Sequence, residues 1–92
     1  MQPRNQSELA CALRKLAAAK PADRQALAEL EQRCISLTRY LGGSAPVQLS
    51  VPELVWHFLA DPDIRFKDSR YAEAQLAELD ALLEGWDRPG DA

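Results

Sequence analysis

Leucines recur along this chain at helical intervals. From Leu27 the apolar positions run Leu30, Cys34, Leu37 and Leu41, alternating steps of three and four. Such spacing stacks side chains on one face of a helix. The seam covers two heptads, short of the roughly three or four that a free-standing coiled coil needs. It predicts one helix of a compact bundle, over 22–41. Pro21 suits its first position and Asp23 its first turn. Gly42-Gly43 predicts its end through a left-handed cap, and Glu29 can pair with Arg33 one turn on.

Ahead of that seam, Leu9, Leu13 and Leu16 mark a second apolar face. Asn5 is a natural cap for it, with Glu8 three residues later as its capping-box partner. Lys20 suits the negative helix end and Pro21 stops the run, so a first helix is expected over 6–19.

The densest cluster of large side chains is Leu49-Ser-Val-Pro-Glu-Leu-Val-Trp-His-Phe-Leu-Ala60. Ser50 and Glu53 have capping-box spacing, Pro52 falls in the first turn, and Leu49 and Leu54 can form a hydrophobic staple. The pattern predicts a short helix over 51–60, with Val51, Leu54, Val55, Phe58 and Leu59 on its broad apolar face. Trp56 and His57 fall outside that face. Asp61-Pro62 ends it.

Asp61 is then expected to cap a single helical turn starting at Pro62, with Ile64 and Phe66 tucked beneath. Asp68 or Ser69 caps a last helix over 69–85, whose apolar face is Ala72, Leu76, Leu79, Leu83 and Trp86, flanked by Tyr71 and Leu82. Gly85 reads as its terminator. The predicted fold is all-α: a compact bundle of three longer helices and one short one, in a single domain spanning 1–92, with frayed ends at 1–5 and 87–92.

Composition agrees with a packed domain. Of the 92 residues, 47% are hydrophobic and 27% charged, which separates the chain from disordered sequences. The net charge of −3 opposes general attraction to nucleic acid or to an anionic membrane. No apolar run reaches the length of a membrane span or a signal peptide, and a cytoplasmic protein is expected. Cys11 and Cys34 fit neither a disulfide framework nor paired zinc-ligand spacing, so both are read as free thiols.

Candidate chemistry is sparse. His57 is the sole histidine, and a metal or nucleophile site would need partners from distant helices. Its simplest role is on the flank of a half-buried helix. Glu73, Asp80, Glu84 and Asp87 recur along one side of the last helix as a solvated stripe. Gly42-Gly43 follows a helix rather than a strand, so no phosphate loop is formed. The reading is of a protein that is not an enzyme, with no catalytic residue, cofactor or metal site.

What remains is apolar surface. Trp56, Ile35 and Tyr40 lie off the main stripes of their helices, and with His57 they form the expected partner-binding set. The function expected is a small regulatory or adaptor protein acting by protein–protein contact, on another protein or on itself as a homodimer. The alternative is a transcription regulator binding DNA through a helix-turn-helix-like arrangement. That alternative suffers from a recognition helix with Glu53, Trp56 and His57 but no Arg, Lys, Asn or Gln. Its connection, at 42–50, is also longer than the usual turn of roughly three or four residues.

Overall fold

A computed structural model describes residues 2–87. Within them the chain forms five helices: α1 (Gln6–Ala18), α2 (Arg24–Gly43), α3 (Glu53–Ala60), α4 (Pro62–Lys67) and α5 (Ser69–Asp87). No strand occurs among the described residues. The bundle expected from the leucine pattern is present, with the turn at Pro62 forming a helix of its own. The shortest dimension, 18 Å, accommodates two layers of helices about 10 Å across.

The predicted stripes meet in one core. Leu9, Leu13 and Leu16 of α1, the whole α2 seam, Val55, Phe58 and Leu59 of α3, and Leu79 and Leu83 of α5 are buried. Phe58 is fully enclosed and is the largest of the fully buried side chains. Trp56 and Tyr40 are half-buried and pack against this core. α5 packs on α1, α3 and α4, while α2 backs α3 and α4.

Local signals explain several helix starts. Asn5 Oδ1 accepts from Glu8 N at 2.8 Å, Asp23 Oδ1 from Ala26 N at 2.8 Å, and Asp68 Oδ1 from Tyr71 N at 3.1 Å. Each satisfies a backbone donor that the helix cannot. Asp23 is therefore the cap of α2 rather than part of its first turn, and Pro21 lies outside the helix. Glu8 completes no box with Asn5; its Oε1 accepts from Arg4 N instead.

Elsewhere tertiary contacts replace the local expectation. The Ser50–Glu53 box does not form. Ser50 N donates to Gln6 Oε1 at 2.9 Å and Ser50 O accepts from Gln6 Nε2 at 2.7 Å. The donor that Glu53 would have satisfied is thus held by α1, and α3 starts at Glu53 behind Pro52 with no side-chain cap. The expected frayed start at residues 2–5 is also anchored. Pro3 is buried and its carbonyl accepts from the Tyr40 hydroxyl at 2.7 Å. Residue 1 and residues 88–92 of the expected frayed ends lie outside the described residues.

Gly42 and Gly43 do not terminate α2 by a left-handed cap. The helix runs through both, neither takes a positive φ, and Ser44 N and Ala45 N both bond to Tyr40 O. Gly85 likewise lies within α5, which continues to Asp87. No ion pair links Glu29 to Arg33; the salt bridge observed among the described residues joins Arg14 Nη2 of α1 to Asp87 Oδ2 of α5 at 2.5 Å. The hydrogen bond to Asp87 raises the Arg14 pKa.

The chain turns between α3 and α4 at Asp61 alone, and between α4 and α5 at Asp68 alone. α4 inverts its expected orientation. Ile64 and Phe66 are 41% and 37% exposed, whereas Pro62 is buried and Arg65 half-buried. Pro62 and Arg65 share a face because they are three residues apart, and that face is the one turned inward.

Candidate docking surface

Polar groups inside the bundle are committed to holding it together. Arg65 lies with its guanidinium carbon 4.1 Å from the centre of the Phe58 ring. Its Nη1 donates to Phe58 O and to Gln75 Oε1, each at 2.6 Å. Gln75 is the buried polar residue of α5; its Nε2 donates to Asp61 Oδ2 at 3.0 Å. Asp61 Oδ2 also accepts from the Tyr71 hydroxyl at 2.5 Å. Asp61 thus serves α5 and makes no side-chain cap for α4, contrary to expectation. Burial lowers the Arg65 pKa, opposed by Cys34 and Asp61. Burial raises the Cys34 thiol pKa, opposed by Arg65 and Arg33. Cys11 and Cys34 are both free thiols, one exposed and one buried.

The Tyr71–Asp61 bond has a pH signature. Donation to Asp61 raises the Tyr71 pKa above its ordinary value. A raised folded-state pKa stabilises the fold fully below the unfolded value of about 10. That contribution is lost as pH climbs through the folded value. The melting temperature is expected to fall more steeply above about pH 10 in the wild type than in Tyr71→Phe. Parallel melting curves for the two proteins across that range would show that the bond contributes nothing.

The four residues expected to bind a partner do not share one surface feature. Ile35 is 40% exposed on α2. Tyr40, five residues later, points its hydroxyl to Pro3 O. Trp56 packs against the core, and His57 is exposed. His57 lines a shallow recess of about 210 Å³ between α3 and α5, together with Tyr71, Gln75 and Glu78. The Tyr71 hydroxyl and the Gln75 amide there already serve Asp61. The exposed positions of α3 are Glu53, His57 and Ala60, a poor match for a phosphate backbone.

A different feature has the form of a docking surface. An apolar furrow runs between α1 and α5. At one end it widens into a cavity of about 370 Å³ floored by Leu16 and Leu30 and bordered by Phe66 of α4. At the other it continues as a hollow of about 330 Å³ beside Leu79 and Leu83. Ala17 and Leu76 line both parts. The furrow has a sequence cause. α1 ends in Ala17-Ala18, with Ala19 as its cap, and Ala72 lies across from them on α5. These side chains are too short to fill the space between the two helices. Charge divides its walls: Arg14 and Lys20 border it from the α1 side, Glu73 and Asp80 from α5, and Arg65 of α4 lines the wide end.

No protein-family model matches the chain, and comparison with curated proteins and with solved structures finds no significant match. No helix among the described residues is long and apolar enough to cross a membrane.

Proposed function

We propose that this chain is a small regulatory or adaptor protein, working in the cytoplasm by contact with another protein or with a second copy of itself. The furrow between α1 and α5 is the surface on which that contact is made. One observation carries this reading: an apolar channel with oppositely charged walls, open to solvent on a small helical domain. Packed helices usually close such a gap with side chains. Here it is lined by alanines and leucines and edged by the 37%-exposed Phe66 ring. An apolar helical face inserts into grooves of this kind, with flanking charges fixing its direction.

The test uses a photo-reactive residue at Phe66, in cells that make the protein, with Arg39 on α2 as the control position. Protein adducts are expected from position 66 and not from position 39. Ala18 is exposed beside the furrow, so Ala18→Arg should obstruct the channel, leave the core intact and abolish the adducts. Absence of adducts at position 66, or adducts indifferent to Ala18→Arg, would remove the furrow as the contact surface.

A further inference from the structure

We propose, building on the furrow as a docking surface, that its occupant is a second copy of this chain, with the two-fold axis of the dimer lying along the furrow. The charges on the walls select both the partner and the axis. Lys20, two residues past α1, lies at the same end as Glu73 on α5, and Arg14 at the same end as Asp80. A rotation of half a turn about an axis along the furrow exchanges the two walls and keeps each level. Lys20 then faces the partner's Glu73, and Arg14, which keeps its bond to Asp87 of its own α5, comes level with the partner's Asp80; each contact occurs twice, as an isologous interface requires.

The other face-to-face arrangement has its axis across the furrow. It keeps α1 over α1 and reverses the levels. Lys20 would meet the partner's Arg14, and Glu73 the partner's Asp80. Like charges across an interface disfavour that geometry.

Further observations favour a copy of this chain. Arg14, Lys20 and Arg65 among the furrow's lining residues are basic and Glu73 and Asp80 acidic, so this face lacks the acidic excess that gives the chain its net charge of −3. Lys20 and Glu73 make no ion pair among the described residues, so both charges stand ready for a partner. Phe66 at the wide end supplies an aromatic anchor level with Lys20 and Pro21, and the short alanine side chains let two helices approach closely.

Sedimentation equilibrium of the full chain, read across the micromolar range, tests this with a charge exchange. Wild type is expected to dimerise. Lys20→Glu and Glu73→Lys each place two like-charged pairs in the dimer and should weaken it by about tenfold. Both positions are exposed, so helical circular dichroism should not change. The double variant K20E/E73K restores opposite charges at both pairs and should recover dimerisation. An equimolar mixture of the two single variants should do the same, because the heterodimer again pairs opposite charges twice. A wild type that stays monomeric overturns the proposal, as do single variants that dimerise like wild type or a double variant and mixture that recover nothing. A monomeric wild type whose position 66 still forms adducts with a different protein rejects the second copy alone. Absence of any adduct from position 66 rejects the docking surface with it.

Discussion

Phe58→Ala is expected to remove about 3–5 kcal/mol of stability. The ring is fully enclosed in the core, so its removal forfeits apolar burial and leaves a cavity. Arg65 stacks over that ring, and losing the ring exposes the guanidinium to an empty space. Single domains hold only about 5–15 kcal/mol in total. The variant should therefore unfold at a much lower urea concentration, or populate the unfolded state without denaturant. Urea unfolding followed by circular dichroism measures it, and a loss under about 1 kcal/mol would mean that the core is loosely packed around α3.

The second large effect belongs to Arg65. Arg65→Met keeps much of the apolar stem but leaves Gln75 Oε1 without a donor and Phe58 O with only the long bond from Asp61 N, at 3.5 Å. Bonds from a charged donor are worth about 1.5–3 kcal/mol each, and an orphaned buried acceptor costs about 1–3 kcal/mol. Half-exposure of the arginine discounts the sum to about 2–3 kcal/mol. The pairing with Gln75 can be isolated by a double-mutant cycle. R65M/Q75M should be less destabilised than the two single variants added together, because it removes donor and acceptor at once. Strict additivity would show that the two side chains do not interact in solution.

These two residues mark where sequence reading succeeds and where it stops. Phe58 stands out because its burial follows from helical spacing alone: it lies in phase with Leu54 and Val55 on an apolar run. The leucines of α1, α2 and α5 are readable for the same reason, and so is the all-helical architecture. Gln75 is not readable. A glutamine between Ala72 and Leu79 looks like solvent-facing filler until Arg65 and Asp61, ten and fourteen residues away, fold back to satisfy it. Ser50 and Glu53 misled in the opposite sense. Their spacing describes a local cap, but Gln6, forty-four residues away, binds both backbone groups of Ser50. Local motifs compete with distant partners that spacing cannot reveal.

The docking surface shows the same division. Tyr40 looked surplus to the core because its partner, the Pro3 carbonyl, lies in a segment expected to fray. The furrow depends on how far apart α1 and α5 sit, a property of the packed molecule. Its one trace in the sequence is the run Ala17-Ala18-Ala19 closing a leucine-striped helix, where a core would ordinarily call for something larger.

The single-residue joints at Asp61 and Asp68 restrict how this chain can vary over time. An extra residue at either joint would turn the helix that follows by about 100°, carrying Pro62 of α4 or Leu79 and Leu83 of α5 out of the core. The segment between Gly43 and Glu53 has no such constraint at its tip, where Val47 is fully open to solvent. Descendants of this sequence should therefore gain and lose length beside Val47, while the stretch from α3 to α5 is inherited with its residue count unchanged.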